Sequence, residues 1–245
     1  MCQDHNVATV AFLIADSARA TMLMFLLDGQ ARPAGELAHV AGITAQTASS
    51  HLSKLLNGGL LAVEVVGRHR YYRLGSSEVA AVLENLAAVR PVEAAVPKRP
   101  SRTVQELRFA RCCFDHLAGR LGVVVTQAMQ EQEQELIIAA QDKRFDVTSE
   151  GYTWFSRLGI NLKSADESGG NLARQCLDST ERRNHLAGPL GRDFLNLLYS
   201  KGWLRRQERS RAVHITPEGW SGFRTLLGVD EHALRHGESE LRVDI

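Results

Sequence analysis

Residues 35–74 read GELAHVAGITAQTASSHLSKLLNGGLLAVEVVGRHRYYRL. Gly42-Ile43 is a tight turn between two helical stretches. The first, Ala34–Ala41, carries Leu37 and Val40, and the second runs from Thr44, its expected N-cap, to Leu56. Asn57-Gly58-Gly59 closes the second helix, because glycine accepts the left-handed backbone a helix end needs. LLAVEVV and RYYRL, on either side of GRH, read as strand, turn, strand.

Outward from there, residues 7–27 are apolar at helical spacing and broken at Asp16-Ser17, either of which can cap a second helix. Gly29 and Pro33 punctuate the following turn. Ser77–Val89 is a final amphipathic helix opened by Ser77. This order of helices followed by a ribbon is a winged helix-turn-helix over residues 1–90. The Thr44–Leu56 helix has Ala48, Leu52, Leu55 and Leu56 on one face, at spacings of three and four. Its other face carries Gln46, Thr47, Ser49, Ser50, Ser53 and Lys54, with His51 beside it. Short hydrogen-bonding groups suit the major groove better than the Glu and Lys of an ordinary solvated face. Together with Thr44 they are the expected DNA-contacting set, joined by Arg68 and Arg70 of the wing. Strand alternation puts Arg70 and Arg73 on opposite faces, and Arg68 at the tip can reach phosphate or a minor groove.

The chain has 245 residues, 44% hydrophobic and 23% charged, an ordinary globular composition. Its 29 Lys and Arg nearly balance 28 Asp and Glu, so any nucleic-acid binding must come from a local patch. No run approaches the roughly 18 apolar residues of a membrane span, and the N-terminus lacks the pattern of a signal peptide. The expectation is a cytoplasmic protein with no membrane partner, whose Cys2, Cys112, Cys113 and Cys176 are reduced.

The helix pair around AGIT, then SSHLSKLLNGGLL, then GRHRYYRL resembles the ArsR/SmtB family of bacterial winged-helix repressors, over roughly residues 8–90. The resemblance implies a homodimer formed by Asn6–Ala15 and Ser77–Val89, bound to a palindromic double-stranded DNA operator. Two departures matter. RPAGEL has no cysteine where metal sensors of the family often carry one, and SEVAAVLENLAAV offers only Glu78 and Glu84. The family's well-known metal sites are therefore absent, and neither metal nor cofactor is assigned.

Three of the six prolines fall in RPVEAAVPKRP, which suits a linker over 91–101 before a second domain, 102–245. That domain contains a repeat. HLAGRLG at 116–122 returns as HLAGPLG at 185–191, and VTSEGYTWFSRLGI at 147–160 as ITPEGWSGFRTLLGV at 215–229. Cys113 and Asp115 correspond to Cys176 and Asp178, with an insertion around STERRN. Residues of about 102–160 and 170–229 are thus two copies of one unit, read as helix, HLAG turn, helix, strand, turn, strand, helix. The fold class is mainly α with small β-wings (α+β): a winged helix-turn-helix and a C-terminal domain of two winged-helix-like repeats. In RRQERSR at 205–211 a solvated basic turn is expected, not a second DNA contact.

In FARCCFDHLAGRLG, residues 109–122, a helix would put Cys113 and His116 on one face with Cys112 beside them. If the halves pair symmetrically, these can converge with Cys176 and His185 on a set apt for Zn or Cu, or on two oxidisable thiols. The alternative is plain architecture: buried cysteines, and histidines bonding a turn where a helix ends. Cys112, Cys113, His116, Cys176 and His185 are the effector or thiol-sensing candidates. A thiol enzyme using Cys113 and His116, or a metal-responsive regulator using all four symmetric residues, stays as the competitor. The aromatic set Phe114, Tyr152, Trp154, Phe155, Trp203, Trp220 and Phe223 can line a pocket or fill a core. No catalytic frame is present, so the expectation is not an enzyme but a dimeric repressor, released when a small molecule or oxidant acts on the second domain.

Overall fold

A computed structural model describes residues 5–89, 102–131, 133, 135–162, 172–207 and 210–236. Cys2 and the linker expected at 91–101 lie outside these residues. The chain divides into two compact units, one ending at Ala87 and the other beginning at Ala88.

The first unit runs α1 (His5–Ile14), α2 (Ser17–Phe25), a 3-10 turn (Leu26–Asp28), β1 (Arg32–Pro33), α3 (Ala34–Val40), α4 (Ala45–Asn57), β2 (Leu61–Val66), β3 (His69–Leu74) and α5 (Ser77–Ala88). Asp16 caps α2 by accepting from the Arg19 N–H at 2.9 Å. Thr44 caps α4 by accepting from the Thr47 N–H at 3.2 Å. Ala48, Leu52 and Leu55 are buried, so α4 enters the core along the face its spacing indicates, and Leu56 lies at its margin. β2 and β3 pair from Leu61↔Leu74 to Val66↔His69, which leaves Gly67-Arg68 as the turn, with Gly67 at φ +61°. One local reading is corrected. The segment around Pro33 is an edge strand: Arg32 and Pro33 pair with Tyr72 and Tyr71, and proline is tolerated there because an edge leaves one side of the ladder unused. α5 starts at Ser77, and the Ser76 Oγ just before it accepts from the Val79 N–H at 3.4 Å.

The second unit runs α6 (Arg102–Phe109), β4 (Arg111–Cys113), β5 (His116–Ala118), α7 (Gly119–Gln130), β6 (Ile137–Ala139), β7 (Phe145–Val147), α8 (Ser149–Leu158), β8 (Arg174–Leu177), β9 (Asn184–Ala187), α9 (Gly188–Ser200), β10 (Leu204–Arg206), β11 (Val213–Ile215), α10 (Pro217–Leu227) and α11 (Glu231–His236). The cysteine segment is not a helix, and HLAG does not end one. Cys113 pairs with His116 across a hairpin turned at Phe114 (φ +57°), and α7 starts at Gly119 (φ +78°). Strands of three residues, buried on both faces, carry no period that tells them from a helix. Their backbone partners are also distant in sequence: the Cys112 N–H donates to the Arg211 carbonyl at 2.8 Å.

Each copy is therefore hairpin, helix, hairpin, helix. β8 and β9 repeat the first hairpin, with Cys176 opposite His185. Residues 178–183 form its longer turn, and the insertion around STERRN falls there. Thr148 and Thr216 cap α8 and α10 in the same way, accepting from the N–H of Gly151 and Gly219. A Cβ at Gly151 or Gly219 would lie 2.1 or 2.2 Å from the carbonyl oxygen of Leu136 or Trp203, so this repeated glycine is required by close packing.

The copies interlock. Cys112 N–H to Arg211 O (2.8 Å) and Val213 N–H to Ala110 O (3.0 Å) tie the first hairpin to β11. Their repeat equivalents, Gln175 N–H to Lys143 O (2.7 Å) and Phe145 N–H to Ala173 O (3.0 Å), tie the second hairpin to β7. β9 packs on α7, β5 packs on α9, and β5 meets β9. Reciprocal contacts of this kind define a pseudo-two-fold axis, here passing between β5 and β9. The aromatic set is core: Phe155, Trp220 and Phe223 are buried, with Tyr152, Trp154 and Trp203 packed against them. Phe114 stands apart from them in the hairpin turn.

Candidate functional site

On α4, Gln46, Thr47, Ser49, Ser50, Ser53 and Lys54 are all exposed, opposite the buried Ala48, Leu52 and Leu55. Thr44 and Thr47 are bound to each other, Oγ1 to Oγ1 at 2.9 Å, as part of the cap. His51 turns inward: its Nδ1 lies 3.4 Å from Arg19 Nη1 and 3.8 Å from Asp16 Oδ1. Arg19 itself is buried and donates to the Leu13 and Phe12 carbonyls at 2.6 and 2.9 Å, so it locks α1 onto α2. On the wing, Arg68 is exposed at the turn, and Arg70 lies over the Tyr72 ring at 5.8 Å. Arg73 donates to Glu64 at 2.6 Å, which accounts for its charge.

In the second unit the fold brings four of the five candidates together. The Sγ atoms of Cys113 and Cys176 are 3.7 Å apart, and the Nε2 atoms of His116 and His185 are 3.1 Å apart. One ligand atom from each of the four lies within 4.8 Å of all the others. Cys112 faces the other way, into the core, with its Sγ donating to the Phe114 carbonyl at 3.3 Å. The reason for convergence is register. Each cysteine sits directly across its hairpin from a histidine, and the two hairpins meet at the pseudo-two-fold axis. The unequal sequence gaps between cysteine and histidine reflect only turn length.

Around the four lies a charged shell. His116 Nδ1 is 3.0 Å from Asp115 Oδ1. His185 Nδ1 is 3.7 Å from Asp178 Oδ2 and, though fully buried, has no hydrogen-bond partner among the described residues. Asp178 is also fully buried; its Oδ2 accepts from Arg111 at 2.8 Å and from the Gly119 N–H at 2.7 Å. Its Oδ1 accepts from the N–H groups of Thr180 and Glu181 at 2.8 and 3.0 Å. Burial alone would raise the Asp178 carboxyl, but the Arg111 guanidinium and these bonds outweigh it and hold the group below the usual carboxylate range. The Cys176 thiol is pushed down, foremost by its bond with Cys113; burial opposes this, and bonds with His116 and His185 assist it. Burial lowers His185, which favours the neutral imidazole. Sequence reasoning paired Asp115 with Asp178 but gave neither a role, and it passed over Arg111 and Arg19. The repeat alignment was the available signal for the aspartates, since each stands in the turn beside its histidine.

Over 224 residues, 91% of this chain and 98% of the relative, the sequence is 42% identical to the HTH-type transcriptional regulator YdfF of Bacillus subtilis (strain 168). Over 87 residues, 36% of this chain and 73% of the relative, it is 37% identical to the HTH-type transcriptional regulator CmtR of Mycobacterium tuberculosis. The chain belongs to the ArsR family of HTH-type transcriptional regulators. Among solved structures, the homodimeric winged helix-turn-helix DNA-binding domain of Mb0332 from Mycobacterium bovis is 30% identical. That likeness covers 34% of this chain and 75% of that chain, with a TM-score of 0.32. No family model matches the chain. The regulator's first unit is its winged helix-turn-helix DNA-binding domain. No single helix among its described residues is long and apolar enough to cross a membrane.

Proposed function

We propose that this regulator is a cytoplasmic homodimer that represses from a palindromic operator and is released when an effector acts on its second unit. The observation that carries the reading is the exposed face of α4, made of short polar side chains and Lys54 and set on a buried face that fixes its position. Gln46, Ser49, Ser50 and Ser53 would meet base edges in the major groove, and Lys54 and Arg68 would meet phosphate. Dimerisation is supported by the apolar side chains that α1 and α5 leave in solvent. Val7 and Phe12 are 77% and 72% exposed, and Leu86 is 50% exposed. A monomer rarely leaves such residues bare, and two-fold symmetry doubles the few base pairs one helix can read.

The effector reading rests on the second unit, whose four-residue cluster is enclosed and polar. A thiol enzyme is disfavoured because Cys113 is only 1% exposed, which leaves no room for a substrate at its sulfur. The test is a gel shift with the DNA upstream of the regulator's own gene, repeated across a salt series. Specific binding that weakens with salt is expected, and no binding even at low salt would sink the proposal.

A further inference from the structure

We propose that Cys113, His116, Cys176 and His185 form a tetrahedral binding site for a d10 metal cation, Zn(II) foremost. The site belongs to the second unit, so it is not one of the winged-domain sites that the sequence lacks. It deepens the effector reading above by naming the effector's class, while the site itself stands or falls without reference to DNA.

The first argument is distance. A tetrahedral Zn(II) with Zn–S of about 2.3 Å and Zn–N of about 2.05 Å holds its two sulfurs about 3.75 Å apart and its two nitrogens about 3.3 Å apart. The observed separations are 3.7 Å for Cys113 Sγ to Cys176 Sγ and 3.1 Å for His116 Nε2 to His185 Nε2. The sulfur–nitrogen edges of such a site are about 3.55 Å, so the widest pair, at 4.8 Å or less, needs to close by no more than about 1.3 Å. The alternative use of the thiols, a Cys113–Cys176 disulfide, would have to close from 3.7 Å to about 2.0 Å.

The second argument is proton accounting. Both imidazoles aim Nε2 at the same point, and neutral histidine carries one proton on one of its two nitrogens. When His116 donates from Nδ1 to Asp115, its Nε2 is a bare acceptor. If His185 then donates from Nε2 across the 3.1 Å contact, its fully buried Nδ1 is left as a lone pair 3.7 Å from the anionic Asp178. That arrangement satisfies one histidine and orphans the other. A cation between the two Nε2 atoms resolves it: each Nε2 gives its lone pair to the metal and each Nδ1 keeps its proton, which faces Asp115 Oδ1 at 3.0 Å in one copy and the anionic Asp178 Oδ2 at 3.7 Å in the other. Carboxylates behind metal-bound imidazoles in this way orient the ring and strengthen the ligand. Here the fold supplies one such carboxylate per histidine, from equivalent turns of the two copies.

The third argument is ligand chemistry. Two thiolates and two imidazoles select Zn(II), Cd(II) or Cu(I) over hard cations. Cation binding sends the thiol protons to solvent. With four protein ligands the site is closed, with no position for a reacting water, so its work is to clamp the two copies together at their axis.

The test titrates the reduced full-length chain with Co(II) in the absence of oxygen. One Co(II) per chain is expected, with the intense ligand-field bands of a tetrahedral centre and a thiolate charge-transfer band, both erased by added Zn(II). Cys176→Ser should remove most of the charge-transfer intensity. Asp115→Asn, at a partly exposed turn, should keep the spectrum and weaken binding about 10-fold or more. Wild-type protein with an intact far-ultraviolet CD spectrum and no tetrahedral Co(II) signal overturns the site, whatever the variants do. A linked Cys113–Cys176 peptide recovered from protein that refuses Co(II) overturns it in favour of a redox pair. Operator affinity measured with and without Zn(II) separates the two proposals. A change supports the metal as effector, and no change alongside a tetrahedral spectrum keeps the site and removes its effector role.

Discussion

Asp178 serves four neighbours at once: Arg111, the Gly119 N–H, the turn at Thr180–Glu181, and the back of His185. Both charges of the Arg111–Asp178 pair are buried, at 4% and 0% side-chain exposure, so removing one leaves the other without compensation. Asp178→Asn should cost about 3–5 kcal/mol, read as a lower urea midpoint for the second unit. The same residue marks the limit of sequence reading at this scale. A lone aspartate in STERRN-type sequence looks like a solvated turn, and only the fold carries it beneath Arg111 and His185. Cys113 and His116 were legible as a pair because the repeat displays them twice. Their helical spacing was misleading, since a two-residue hairpin turn produces the same interval as one helical turn.

Helix α4 was legible nearly to the residue, and the first hairpin of each copy was not, for a common reason. Thirteen residues give a 3.6-residue period time to declare itself, and a capping threonine marks where it starts. Three-residue strands such as β4 and β5, buried on both faces, declare nothing, and some of their backbone bonds go to the other copy. Lys54→Ala should weaken operator binding evenly across sequences and reduce the salt slope by about one, measured by fluorescence anisotropy over a salt series. At the next element, Asp16 caps α2, and Asp16→Ala should lower stability by about 1 kcal/mol. The Arg19 N–H holds the Asp16 carboxyl below its ordinary range. Its contribution is therefore complete above the normal carboxylate pKa and is lost as pH falls through the lowered folded value. The stability gap between wild type and Asp16→Ala should be widest near neutrality and narrow in acid.

For the whole molecule, the dimer reading makes a separate demand on α1 and α5. Phe12→Asp alters a residue that is 72% exposed, so the fold of the first unit should survive, while the sedimentation coefficient should fall to that of a monomer and operator affinity should drop at least 10-fold. Within the second unit, the first hairpin of each copy hydrogen-bonds to the second hairpin of the other, so neither copy has a complete packing surface of its own. Heating should give one cooperative transition for residues 102–236, with no step attributable to half of it. The duplication also has a consequence for ancestry. A half that supplies one cysteine and one histidine to a shared axis holds half of the cluster, so a single copy would have to pair with itself to complete it. Joining both halves in one chain lifts the rule that the two sides be identical. The longer turn at 178–183 is a departure that this freedom allows: Asp178 is buried and bridges to the opposite hairpin, whereas Asp115, its counterpart, keeps a side chain 35% exposed.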